Sequence, residues 1–328
     1  MQENNIVQPM EKRSDDPLFR ALQVSGSRKS SLYNLSKSDR ENGYYFTYYG
    51  LEVPFSAILN ENNKTRGIVG IAFGTAKDCP SRFLGLCQLP TDALCYARAG
   101  ERRATKRDNE NGEKGMDSYY NGLLCSAFWD SFETNPQTRL DFIDYLEAKG
   151  IETIRFNLKS DFRHLNDVVA IYSLAQTGFK LTGYTARDDL EELQGLADHP
   201  NIILNGSNRM YTNRFKATTS IKEYVEADFP CLGSCSNCGN CYRLRGETIT
   251  VLIHGNGSNT ALNTVENRDY ILKWSKNVLP WDVLRDTDFS KAKGLITCIN
   301  KELKKVGVML RFKDAKDLAN YIREWGEY

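Results

Sequence analysis

The chain has 328 residues, of which 41% are hydrophobic and 26% charged, and its 43 basic and 42 acidic side chains leave a formal net charge of +1. That length admits one large domain with appendages or two domains, and the composition is ordinary for a globular protein. A near-neutral balance gives no global pull toward nucleic acid, so such a contact would need a local basic patch. No apolar run approaches bilayer length and the N-terminus lacks an apolar signal core, so a cytoplasmic protein with no membrane partner is expected.

Residues 1–40 are polar and without periodicity, and are read as a flexible N-terminal arm. The aromatic run Tyr44–Tyr49 favours a strand. Gly67–Gly74 is a short apolar run with the length of a buried strand. Cys79, Cys87 and Cys95 follow it with the spacing C-x7-C-x7-C. Three thiolates leave one iron of a four-iron cluster unligated, or one position open on a zinc. An open position suits chemistry, whereas a structural site is closed. The competing reading makes one or two of these buried thiols that act as small hydrophobes.

After Cys95, the residues Arg98, Glu101, Arg102, Arg103, Lys106 and Arg107 form a basic cluster. A solvated helix face is its default reading, and phosphate contact with a nucleic acid is the functional one. The segment from Tyr119 to Gly150 predicts two helices that divide near Asn135-Pro136 and stop at Gly150. Cys125, within the first, belongs to the core on its apolar neighbours.

Alternation then sets in. Strands are predicted at Thr153–Leu158, Phe179–Tyr184 and Asn201–Leu204, with helices at Asp167–Ala175 and Asp188–Leu196 between them. Such βαβ units imply a parallel sheet covered by helices. The fold class is therefore α/β, as a partial or complete (β/α) barrel over residues 41–262, with a doubly wound open sheet as the alternative. Either architecture collects its site in the loops beyond the carboxyl ends of the strands. Arg155, Asn157, Lys159, Asp161, Arg163 and His164 straddle the end of the first of these strands, with Arg155 and Asn157 on one face of it, and Arg187 follows the end of the second. An Asp beside a His can serve acid–base chemistry or bind polar ligand groups. The bland reading has Asp161 capping a helix while Arg163 and His164 face water. Thr185 is equally an ordinary cap or part of an anion-binding turn.

Cys231, Cys235, Cys238 and Cys241 stand within eleven residues as C-x3-C-x2-C-x2-C, separated by glycine and small polar residues. In a reducing compartment such clustering reads as a metal site, and soft thiolates select zinc or an iron–sulfur cluster. Thr248–His254 predicts a further strand, with His254 a candidate ligand or a structural histidine. His199, before Pro200, reads as turn chemistry, and Cys298 as core. Residues 263–328 are read as a helical extension interrupted at Pro280 and Gly294.

Three segments together resemble the gene product 88 family of phage and mobile-element proteins. They are Cys79-Pro80 through Cys87 to Cys95-Tyr96-Ala97, then Ile154-Arg155-Phe156 through Ser160-Asp161-Phe162 to Tyr184-Thr185, and last Cys235 to Tyr242 followed by His254-Gly255. The chain departs from that pattern in its wider early cysteine spacing and in Lys159-Ser160-Asp161, where the family tends to have Ser-Gly-Asp. The family implies an origin and an architecture but no settled activity. The order of strand, early cysteine trio, (β/α) units and late cysteine run is also similar to radical S-adenosylmethionine enzymes. That resemblance implies a [4Fe-4S] cluster on Cys79, Cys87 and Cys95 with S-adenosylmethionine on its open iron. It implies a second cluster on Cys231, Cys235, Cys238 and Cys241, and substrate contacts from Arg155, Asn157, Asp161 and Arg187.

Two functions follow as expectations. One is an iron–sulfur enzyme acting on a nucleic acid or peptide. The other is a non-enzymatic protein stapled by zinc at Cys231–Cys241, which contacts nucleic acid through Arg98–Arg107.

Overall fold

The computed structural model describes residues 36–48, 50–60, 67–87, 95, 97–98, 101, 117–231, 239–252, 266, 300 and 312–313. Residues 1–35, Cys235, Cys238, His254, Cys298, the basic residues 102–107 and nearly all of 263–328 lie outside the described part.

At the end of the segment read as an arm, a short helix α1 (Lys37–Glu41) begins at Ser36, whose hydroxyl accepts the amide of Asp39 at 2.9 Å. The aromatic run makes β1 (Tyr45–Tyr48), which pairs antiparallel with β2 (Leu51–Pro54) as a separate two-stranded sheet. Alternation buries Phe46 opposite Val53. Gly50 supplies the positive φ (79°) of the intervening turn. A 3-10 turn, Phe55–Ala57, follows. Phe46 and Phe55 pack edge-on against Phe128 and Phe142, with ring centroids 5.5 Å and 5.2 Å apart for Phe46–Phe128 and Phe55–Phe142. This hairpin therefore covers the next two helices and takes no part in the main sheet.

The main sheet starts with β3 (Val69–Gly70) and is followed by the one-turn helix α2 (Pro80–Phe83). The two predicted helices are α3 (Asp117–Thr134) and α4 (Pro136–Ala148). Asn135 divides them, accepting the amide of Gln137 at 3.0 Å with Pro136 in the first turn, and Gly150 turns the chain out at φ 64°. Then come β4 (Thr153–Arg155), α5 (Leu165–Gln176), β5 (Lys180–Thr185), α6 (Leu193–Asp198) and β6 (Ile202–Ser207). The chain continues through β7 (Asn213–Thr218), α7 (Ile221–Val225), β8 (Phe229–Pro230), a 3-10 turn (Asn240–Tyr242) and β9 (Thr248–Leu252). Strand β7 mixes polar and apolar residues without clear alternation, and α7 and β8 are only five and two residues long, which is why the pattern did not predict them.

All seven main strands are parallel, in the order β3-β4-β5-β6-β7-β9-β8. From β3 to β7 the order runs one way without reversal, so this part is wound singly and contains no doubly wound switch point. The edge strands β3 and β8 do not pair with each other among the described residues; β3 is instead bridged by Asn60, which exchanges two backbone bonds with Gly70. The sheet is thus open where it is described.

Its two faces differ. Ile154, Leu181, Ile202 and Leu204 join Phe156 and the inner sides of α5 and α6 in the apolar core. The other face carries Arg155, Thr182, Tyr184, Asn205, Asn213 and Phe215. Tyr184 and Phe215 lie on strands separated by β6, about 10 Å at ordinary strand spacing. Their ring centroids nevertheless meet at 4.7 Å, as on the concave side of a curled sheet. No helix among the described residues is long and apolar enough to cross a membrane.

Candidate functional site

The loops after β3, β4 and β5 all leave the carboxyl ends of parallel neighbours, and one buried carboxylate ties them together. Asp161 is 6% exposed and receives five hydrogen bonds. Ser81 Oγ (2.6 Å) and the Ala186 amide (2.7 Å) donate to Oδ2; Asn157 Nδ2 (2.9 Å), the Phe162 amide (2.9 Å) and Thr185 Oγ1 (2.7 Å) donate to Oδ1. These donors come from all three loops. Burial pushes the Asp161 carboxyl upward, and the donors pull it back toward the ionised form. The backbone amide of Asp161 in turn donates to Cys79 Sγ at 3.4 Å, which places the first cysteine directly against this clamp.

Cys79 precedes α2 with its carbonyl accepting the amides of Arg82 and Phe83. Cys95 lies close enough to bear electrostatically on the Cys79 thiol. Burial raises the Cys79 pKa, the Asp161 amide opposes it, and the Asp161 carboxylate adds to it. A bound cation reverses that balance, because a coordinating thiol loses its proton outright. Cys79, Cys87 and Cys95 are all partly exposed. Their three sulfurs do not all lie within 4.8 Å of one another, a wider spread than one bound zinc would hold.

Glu101 grips the same loop from the other side. It is 2% exposed, and its two oxygens accept the amides of Ala76 (2.7 Å) and Lys77 (3.0 Å), just before Cys79. Arg98 stands 3.8 Å from the same carboxylate. Burial raises the Glu101 pKa, and the two amides lower it. The sequence reading placed Glu101 among the members of a solvated basic cluster. Its interior position is a tertiary fact, since only the folded loop offers it two amides.

Of the four residues expected to touch substrate, Arg155 lies on the concave face with its guanidinium 4.8 Å over the Tyr184 ring. Asn157 adopts φ 56°, a left-handed conformation that asparagine tolerates, so the chain leaves the strand line there and the expected alternation with Arg155 ends. Its Nδ2 also donates to the Tyr184 carbonyl (2.9 Å), while its Oδ1 and the Ser160 hydroxyl are buried without a hydrogen-bond partner among the described residues. Arg187 is 5% exposed, paired with Asp189 through Nε (2.6 Å) and Nη2 (2.7 Å), and donates to the carbonyls of Phe162 and Arg163. Asp161, Asn157 Nδ2 and Arg187 thus hold loops, and of the four only Arg155 lies on the concave face. The helix expected from Asp188 starts only at Leu193, so Thr185 caps no helix; its hydroxyl serves Asp161 and the Arg187 amide.

The late cysteine run is fixed at both described ends. The Cys231 amide donates to Thr250 at 2.7 Å beside β9, and its carbonyl accepts Tyr224 Oη at 2.7 Å. The Cys241 carbonyl accepts Thr182 Oγ1 (2.8 Å) and Asn205 Nδ2 (2.9 Å) on the concave face. Asn213 Nδ2 holds the Leu244 carbonyl at 2.7 Å. Buried Thr182 and Asn213 were not singled out from sequence, because polar residues within strands give no signal of what they will face. Cys231 thus follows the edge strand β8, whereas Cys241 sits over β5 and β6, roughly three strands away at about 4.8 Å each.

Other polar groups have structural partners. Arg163 is mostly buried: its guanidinium bridges Asp167 (2.8 Å), Asp130 (2.7 Å) and Ser126 Oγ (2.6 Å), joining α5 to α3. Glu133, His164 and Asp167 also converge there, but Arg163 already supplies their positive charge. His164 precedes α5 and is half exposed, so Asp161 is not the helix cap. Cys125 is fully buried, with its thiol raised to about 11 by burial. His199 is the turn residue expected, accepting the Asn201 amide at 3.2 Å. A shallow groove of about 520 Å³ lies elsewhere, lined by Lys216, Lys222, Glu223 and Thr250 on the outer side of β7 and β9. Comparison with protein families, curated proteins and solved structures yields no match to this chain.

Proposed function

We propose that the chain is an iron–sulfur protein of phage or mobile-element type, a (β/α) barrel-like enzyme of the radical S-adenosylmethionine kind. Cys79, Cys87 and Cys95 would hold the open [4Fe-4S] cluster, and Cys231, Cys235, Cys238 and Cys241 a second metal site. The observation that supports this reading best is the Asp161 amide on the Cys79 sulfur, which brings the early cysteine loop to the carboxyl ends of β3, β4 and β5. A parallel α/β sheet gathers its ligands at that end. When bound, the cluster and its S-adenosylmethionine supply the radical chemistry, and the protein supplies position and exclusion of water.

The chain's own residues divide that task. Asn157 Oδ1 and Ser160 Oγ offer buried polar atoms to donors on a bound ligand. Arg155 and Tyr184 present a cation and an aromatic face on the concave side, which suits a nucleic acid or peptide substrate. Thr182, Asn205 and Asn213 lay the late cysteine segment across the same side. The setting is cytoplasmic, where clustered thiols stay reduced.

The test is anaerobic purification with iron, sulfide and zinc quantified together, on the wild type and on a Cys79/Cys87/Cys95 triple alanine variant. About seven to eight irons per chain, falling by half in the variant, is the expected result. One zinc and no iron in both would end this reading and leave the zinc-stapled, nucleic-acid-binding alternative through Arg98–Arg107.

A further inference from the structure

We propose that Glu101 and Asp161 are the positioning residues of the early thiol centre, two buried carboxylates that clasp the Cys79 loop from opposite sides before any metal binds. The inference rests on the reading that Cys79, Cys87 and Cys95 share one centre, but it concerns how the protein shapes that centre. Glu101 closes on the amides of Ala76 and Lys77, three and two residues before Cys79. Asp161 closes on Ser81, two residues after it, and sends its own amide to the Cys79 sulfur. Cys79 is therefore bracketed by charge-assisted bonds. Glu101 also follows Cys95 by six residues, so its grip carries the Cys95 segment to the Cys79 loop.

Both carboxylates accept from several donors. Five donors meet Asp161 and two backbone amides meet Glu101, and an amide side chain offers one acceptor where a carboxylate offers two. Glu101→Gln and Asp161→Asn each set a donor against a donor, although size and shape are kept. Hydrogen bonds to a charged group contribute about 1.5–3 kcal/mol each, so losing one loosens the loop by at least about tenfold. Ser81→Ala removes a single bond to Asp161 and no backbone contact, which makes it the mildest of the three.

The experiment measures iodoacetamide labelling of each cysteine in the metal-free full chain by peptide mapping, beside cobalt(II) titration of its thiolate charge-transfer band. In Glu101→Gln and Asp161→Asn, labelling of Cys79 and Cys95 should accelerate about tenfold or more. In Ser81→Ala, which loses one such bond and sets no donor against a donor, it should accelerate about tenfold, the low end of the range. Cys125, fully buried, should stay unlabelled throughout, which separates local release from unfolding. The part of the cobalt band that Cys79→Ser removes should weaken in the same order. Unchanged Cys79 labelling in Glu101→Gln and Ser81→Ala overturns the clasp, even if Asp161→Asn fails to fold. Absence of any cobalt band that depends on Cys79 sinks the shared metal centre instead, and labelling still decides the clasp.

Discussion

Replacing Arg163 by leucine removes the partner of a carboxylate that has no access to water. Asp167 is 0% exposed and accepts Arg163 at Nη2 (2.8 Å), at Nε (3.2 Å) and at the backbone amide (2.6 Å). Only the amide bond survives in Arg163→Leu. Breaking a buried pair by removing one partner costs about 3–5 kcal/mol. Arg163 itself is 16% exposed, so water reaches the vacated space and the low end, about 3 kcal/mol, applies. The Asp130 contact adds little, because that carboxylate is 61% exposed. For a domain of this size, the loss lowers Tm by roughly 6–12 °C. The assay is thermal and urea unfolding by circular dichroism on wild type, Arg163→Leu, Asp167→Leu and the double variant. The double should recover much of the loss, since no stranded charge remains. A fall of less than about 2 °C in Arg163→Leu, or a double variant no better than either single, would refute the reasoning.

Further outcomes follow from other residues. Gly183→Ala places a methyl 2.0 Å from the Phe156 ring, so it should cost about 1–3 kcal/mol by urea midpoint, and a neutral result would contradict that packing. Cys125, with its thiol pushed up to about 11 by burial, should resist iodoacetamide at pH 8 in the native protein and react only after denaturation. Lys216 and Thr218 hold the Glu223 carboxyl below its ordinary range, so its stabilisation is full above about pH 4 and is lost as pH falls through the lower folded value. Glu223 is 38% exposed and solvent screens it, which limits the effect to about 0.2–1 kcal/mol. Glu223→Gln should flatten the acid limb of the urea midpoint against pH; a limb as steep as wild type's would count against it.

Much of the architecture could be read from local pattern. Asn135-Pro136 and Gly150 mark helix ends because capping and φ preference act within a few residues, and α3 and α4 end where those residues stand. Apolar runs near Ile154, Leu181 and Ile202 mark strands because parallel strands are buried on both faces. The limits of the pattern are equally physical. The β1–β2 hairpin looked like part of the barrel, yet its aromatics found α3 and α4 first. Strand β7 carries polar residues, of which Asn213 serves the concave face, and β8 is only Phe229–Pro230, so composition hides the one and shortness the other.

By itself the sequence determined the α/β class, the order of strands and helices from α3 to β6, and seven of the nine thiols in two groups, since periodicity, caps and spacing are local properties of the chain. Only the tertiary structure decided what the polar residues do. Asp161 became a five-donor clamp, Glu101 an interior clasp, Arg163 a bridge between helices, and Asn205 a hook for the late cysteine segment. The reason is that a buried polar group is defined by partners distant in sequence: Ser81 and Asp161 lie 80 residues apart, Asn205 and Cys241 lie 36 apart. Their pairing arises when parallel strands bring those loops to one end of the sheet.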